Sequence, residues 1–241
     1  MLTLPSRGIL CACDLEDLDA VKRLLEAIDP VEQIAGYKLG SLLALRYGLK
    51  SVVKAMRKLT DKALLYDHQK AGLDVPSMAA EYVKVCCDAG VDALILFPLG
   101  GPTAVDAFVS ETLKAGLAPV VGGALPLKDY LTGGGGYVAK ATLARIARRA
   151  FDLGARDFVV PATDTDAISH HIKAFAGRNT RLFMPGIGPL GGDITRAFSA
   201  ARGVSAQAII GRAIYAHADP RKEARRLARE VAAFVKKEIS D

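Results

Sequence analysis

The chain has 241 residues, of which 51% are hydrophobic and 24% charged, and a formal net charge of +6. That composition supports an ample core, and no apolar run nears the ~20 residues of a membrane span. With seven Tyr, eight Phe, no Trp and no recognition motif, the positive charge argues for a small anionic ligand rather than nucleic acid.

In chain order, short β-branched or leucine-rich runs alternate with longer helical patterns. "MLTLPSRGILCACD" has an apolar stretch but no basic n-region, so a cytoplasmic protein is expected. The predicted strands are "GILCAC" (8–13), "IAGYKL" (34–39), "ALLYD" (63–67), "ALILF" (93–97), "LAPVVG" (117–122), "DFVVP" (157–161), "RLFMP" (181–185) and "QAIIG" (207–211). Helical spacing appears at 17–28, 77–90 and 140–154, and Gly90, Gly116 and Gly154 stand where helices would end. Eight β/α units without a composition break describe a single α/β domain over 1–241, a (β/α)8 TIM barrel. A doubly wound open sheet is the alternative, but "CDLED" follows the first strand where such folds place a glycine turn. Residues 220–238 read as an amphipathic last helix with a solvated basic face.

Cys11 and Cys13 would point to one side of a strand, and Cys86 and Cys87 about 100° apart on a helix. Neither pair has metal-ligand spacing, so buried reduced thiols are expected. His68 reads as a packing or loop residue, and the pair His170-His171 as part of a solvated helix face.

A barrel places its chemistry where strands end and βα loops begin. Asp14 follows the first strand, Lys38 closes the second, and Asp67 and Lys70 follow the third, with Asp74, Val75 and Pro76 beyond them. "PGIGPLGGD" (185–193) follows the seventh strand, and Gly211-Arg212 follows the eighth. Glycines let backbone N–H groups approach an anion, and a guanidinium grips phosphate in a forked geometry. These two loops are the usual phosphate site of such barrels. "TGGGGYV" (132–138) reads either as a mobile lid or as a plain linker.

Together these residues resemble the orotidine 5′-phosphate decarboxylase family, from Asp14 to about Tyr215. The resemblance implies a cofactor-free and metal-free barrel, a homodimer with shared active sites, acting on orotidine 5′-monophosphate to give UMP in pyrimidine biosynthesis. It implies a catalytic array of Lys38, Asp67, Lys70 and Asp74, in which Asp14 and Lys38 contact the ribose and help hold the array, Asp67 faces the substrate carboxylate, and Lys70 protonates C6. Asp74 would come from the partner subunit, and Val75 beside it would meet the substrate. Pro185, Gly186, Gly191, Gly192, Gly211 and Arg212 would bind phosphate.

The chain departs from the family pattern in three places. The array D-x-K-x-x-D carries one extra residue in each gap, giving Asp67, Lys70 and Asp74. Leu190 stands where glutamine is common. Ala124, Leu125 and Pro126 stand where a Ser or Thr usually meets the pyrimidine, leaving Thr132 as the nearest hydroxyl.

Two other functions fit parts of the pattern. A magnesium-dependent sugar-phosphate decarboxylase or aldolase of the same barrel superfamily would use the carboxylates as metal ligands, but usually carries a Glu near the second strand end. A non-catalytic nucleotide-binding barrel would need only the phosphate elements.

Overall fold

The computed structural model describes residues 2–68, 72–125 and 127–240. Eight parallel strands pair in sequence order and close on themselves: β1 (Arg7–Cys13), β2 (Ile34–Gly40), β3 (Ala63–Asp67), β4 (Ala93–Leu96), β5 (Ala118–Val121), β6 (Asp157–Val159), β7 (Arg181–Pro185) and β8 (Ser205–Ile210). This is the expected (β/α)8 barrel, and closure of β8 onto β1 rules out the open sheet. Four strands, β4, β5, β6 and β8, stop a residue or two before the expected ends, each within two residues of a proline or glycine: Pro98, Gly122, Pro161 and Gly211. Glycine weakens a strand, and proline has no N–H for a ladder.

Alternation along each strand sorts the side chains into two layers. Leu10, Leu65, Ile95, Val120, Phe183 and Ile209 fill the barrel interior. Cys11, Cys13, Tyr37, Leu39, Leu64, Leu94 and Ile210 face outward into the shell of helices. The cysteines behave as expected: Cys11, Cys13 and Cys86 are buried, Cys87 is half-buried, and all four are free. A hydrogen bond with Cys13 and, after it, burial push the Cys11 thiol well above its ordinary pKa, which keeps it an inert core group.

The helices are α1 (Leu18–Ile28), α2 (Ser41–Tyr47), α3 (Leu49–Met56), α4 (Ala79–Ala89), α5 (Pro102–Lys114), α6 (Lys140–Asp152), α7 (Thr165–Ala174), α8 (Ile194–Ala200), α9 (Arg212–Tyr215) and α10 (Pro220–Ser240). The last is amphipathic as expected, burying Ala224, Leu227, Ala228, Val231 and Phe234. Its far end is clamped to the barrel by Arg7, whose guanidinium meets Glu238 at 2.6 Å.

The N-terminal mouth of the barrel is plugged. Gln207 Nε2 donates to Pro5 O at 2.6 Å, and Arg181 reaches Leu2 O while pairing with Asp157 at 2.8 Å. With that end sealed by the chain itself, a ligand has the C-terminal mouth to enter.

Candidate active site

Three charged side chains from three adjacent strand ends meet at the C-terminal mouth. Lys38 aligns with Ala12 on β1 and with Leu65 on β3, so it points into the barrel just above the apolar interior. Its Nζ lies 3.0 Å from Asp14 Oδ1 and 3.0 Å from Asp67 Oδ2. Asp67 pairs in register with Gly40, the residue that closes β2. A Cβ on Gly40 would stand 2.7 Å from Asp14 Oδ1, so a larger residue there would push this carboxylate from its present place. The backbone of β2 thus makes room for the carboxylate that β1 delivers.

Burial pulls the Lys38 pKa down, but the charges of Asp67 and Asp14 and their hydrogen bonds outweigh it, leaving the ammonium above its ordinary value. Lys38 is therefore a fixed cation between two carboxylates. Asp67 has further capacity: its Oδ1 is buried and has no hydrogen-bond partner among the described residues. A buried, unpaired carboxylate oxygen is costly, which marks this atom for a donor or a substrate group.

Lys70 lies outside the described residues. Asp74 and Val75 do not join Lys38 and Asp67 within the chain. Asp74 is exposed, its Oδ1 accepts from the Val75 amide at 2.7 Å, and it forms no ion pair among the described residues. His68 turns away from the array and packs as expected, its Nδ1 2.8 Å from Tyr66 Oη and its ring beside Tyr82.

On the other side of the mouth, Pro185 of β7 aligns with Ile209 of β8, so the glycine loop and Gly211-Arg212 leave the barrel as neighbours. The loop touches the first turn of α9, since a Cβ on Gly188 would fall 2.9 Å from Ala213 Cβ. Gly186, Gly188 and Gly191 take positive φ, and the loop folds on itself. The amides of Gly188, Gly191 and Gly192 donate to Gly192 O, Gly188 O and Gly186 O, so these three donors hold the loop's shape in this conformation. Arg212 is exposed and makes no ion pair among the described residues.

Tyr215 joins the two halves and was passed over in the sequence. Its ring packs on Gly211, and its hydroxyl is raised by burial and by Asp14, with Arg212 and Lys38 pulling the other way. Motif spacing identifies α9; only the fold shows that its last residue lies in the field of Asp14 and Lys38.

Thr132 is exposed and begins a 3-10 turn, Thr132–Gly134. A bridge between Leu131 and Val138 closes that segment, and the Tyr130 hydroxyl donates to Gly123 O. A plain linker is therefore the wrong description of this segment. Leu190 is half exposed at the loop surface, and Pro126 lies outside the described residues.

The histidine pair divides. His170 is exposed as expected, but His171 is buried against Phe158 and Phe175, with ring centroids 4.8 and 4.6 Å away. Burial lowers its pKa from 6.5 to about 4. An unfolded chain takes up that proton near pH 6.5 while the folded one stays neutral. Stability should therefore fall as pH drops through this window, by up to roughly 3 kcal/mol. His171→Phe should flatten the fall in urea midpoint between about pH 6.5 and 4 relative to the wild type. Parallel pH profiles would show that this ring does not carry the effect.

Fold and site define the class: a (β/α)8 barrel with a lysine-carboxylate array at one side of its mouth and a glycine loop beside an exposed arginine at the other. The model of the orotidine 5′-phosphate decarboxylase / HUMPS family matches residues 8–227, and the chain belongs to that family. The orotidine 5′-phosphate decarboxylase of Methanosarcina barkeri is 27% identical, over 95% of this chain and 97% of its own length. That of Afipia carboxidovorans is 28% identical, over 95% and 97%. Among solved structures, orotidine 5′-monophosphate decarboxylase from Methanocaldococcus jannaschii, complexed with inhibitor BMP, superposes with a TM-score of 0.79 at 20% identity. That match covers 95% of this chain and 99% of the other.

Proposed function

We propose that the chain is a carboxy-lyase that converts orotidine 5′-monophosphate to UMP in pyrimidine biosynthesis, acting in the cytoplasm as a homodimer of single-domain barrels. The observation that carries this reading is Lys38 Nζ at 3.0 Å from both Asp14 and Asp67. An ammonium fills the place between carboxylates that a divalent metal takes in the sugar-phosphate reading. Among the described residues no group of three or more His, Cys, Asp or Glu side chains is set to hold a metal ion.

In this reading Arg212, beside Pro185, Gly186, Gly191, Gly192 and Gly211, anchors the phosphate. Asp14 and Lys38 hold the ribose, and Val75 and Thr132 border the substrate. The carboxylate at C6 is pressed toward Asp67. As the C6–carboxylate bond breaks, CO2 leaves and the electron pair stays on C6. The Lys70 ammonium stabilises that charge and then gives C6 its proton. The unpartnered Asp67 Oδ1 is the acceptor such a lysine needs in order to be held charged and aimed.

Incubated with orotidine 5′-monophosphate after exhaustive treatment with EDTA, the protein should release UMP and CO2 as fast as untreated enzyme. Activity restored only by magnesium would move the assignment to the sugar-phosphate branch. Binding without turnover would make it a nucleotide-binding barrel.

Arg212→Ala should mainly weaken capture of phosphorylated substrate. With three loop amides bonded internally, the guanidinium carries much of the phosphate's charge. The loss should be roughly 2–4 kcal/mol in kcat/KM, and a substrate lacking phosphate should be almost indifferent. Equal damage to both substrates would make Arg212 structural.

A further inference from the structure

The charge of the chain is not spread evenly. α10 carries seven basic residues against three glutamates, so most of the net charge of +6 sits on one helix. Each glutamate is already engaged: Glu223 and Glu230 hold Arg226, and Glu238 holds Arg7. Arg221 is engaged too, donating to Ala27 O at 2.8 Å and tying the start of α10 to α1. Lys222, Arg225, Arg229 and Lys236 are exposed and make no ion pair among the described residues.

Helical geometry puts these four cations on one stripe. At about 100° and ~1.5 Å per residue they fall within about 60° of one another, along about 21 Å of the axis. Ala232 and Ala233 are exposed beside them, and no exposed aromatic side chain of α10 joins them. The other side of the helix, with Ala224, Leu227, Ala228, Val231 and Phe234, is buried against the barrel. Arg225 and Arg229 stand one turn apart, a like-charge spacing that weakens a helix by itself. A polyanion laid along the stripe would relieve that repulsion.

We propose that this stripe is a docking surface for the phosphate backbone of a nucleic acid duplex, bound without regard to sequence. Its surroundings favour that partner over the other polyanions. Protein interfaces are built round an apolar or aromatic centre, which two alanines do not supply. A membrane-bound basic helix sinks its apolar face into lipid, and here that face is already buried in the core. Phosphates ask only for cations, and about 21 Å covers about six base pairs of duplex at ~3.4 Å each. The aromatic residues and recognition motifs that the sequence lacks would read bases, and backbone contact uses neither. The stripe shares no residue with the barrel mouth and stands or falls independently of the decarboxylase reading.

Fluorescence anisotropy of a labelled DNA duplex of random sequence, titrated with the full-length protein at several salt concentrations, tests it. Binding should saturate with a Kd of about 1–100 μM near physiological salt. The logarithm of the binding constant should fall against that of salt with a slope of about −3.6, as four phosphate contacts require. Arg225→Gln combined with Arg229→Gln should roughly halve that slope, and Arg225→Lys combined with Arg229→Lys should keep it. Lys54→Gln combined with Lys173→Gln removes as much charge from α3 and α7 and should leave the slope in place. Glutamine is a good helix former, and circular dichroism melts would establish that each variant folds. Absence of saturable binding, a slope unmoved by the α10 pair, or an equal fall in the α3–α7 pair would each overturn the proposal. Tighter binding to phosphatidylserine vesicles or to polyglutamate at the same salt would overturn it in favour of a membrane or an acidic protein.

Discussion

Lys70→Ala should lower kcat for orotidine 5′-monophosphate by more than about 10⁴-fold while leaving nucleotide binding within a few-fold of wild type. The reaction has no cofactor to absorb the electron pair left on C6. In the proposed chemistry one ammonium both stabilises that charge and supplies the proton, so its removal takes two contributions at once. The proposed phosphate and ribose contacts lie elsewhere in the barrel, at Arg212 of α9 and at Asp14 and Lys38, and the ground-state affinity should survive. The signature is therefore a fall in kcat at nearly constant KM, measured by steady-state UMP release and by titration with UMP. Retention of more than about a tenth of wild-type kcat would remove Lys70 as the proton donor.

That prediction depends on a site whose position was largely legible before any coordinates. All eight strands could be read because leucine-rich and β-branched runs are bounded by glycines that end the preceding helices, as Gly90 does in the left-handed conformation after α4. Once the barrel is accepted, strand-end logic brings Asp14, Lys38 and Asp67 together, since parallel neighbours deliver their last residues to one rim. What could not be read depends on closure or on helix phase. Asp157, Arg181 and Gln207 lie on three strands and reveal their shared role only when β6, β7 and β8 close over the N-terminal segment. His171 looked like its exposed neighbour, yet Ile168, His171 and Phe175 recur at helical spacing and all three are buried. The 3.6-residue period carried that signal, and two adjacent histidines masked it. The internal bonding of the glycine loop was also invisible, because glycine content permits both an amide cradle and a self-bonded loop.

Mixing inactive Lys70→Ala with inactive Asp74→Ala should regenerate decarboxylase activity once subunits exchange. Asp74 stands exposed and without an ion pair among the described residues, so in this chain alone it serves neither Lys38 nor Asp67. Its surroundings suit a subunit contact rather than bulk water. Leu73, Val75 and Met78 on the same segment, which follows β3, are 49%, 58% and 46% exposed, and Leu42 and Leu45 on α2, which follows the neighbouring strand β2, are 69% and 78% exposed. Such a group of apolar side chains at one rim marks an association surface, and the dimer proposed for this enzyme would cover it. A two-fold axis there makes the exchange reciprocal, each protomer lending Asp74 to the other's lysine. In a mixed dimer one site is doubly defective and the other has both native residues. Random exchange of equal amounts should thus restore about a quarter of wild-type activity. Native mass spectrometry would confirm that mixed dimers form. Mixed dimers without recovered activity would place Asp74 in its own subunit's site or outside catalysis, and the exposed leucines would then need another partner.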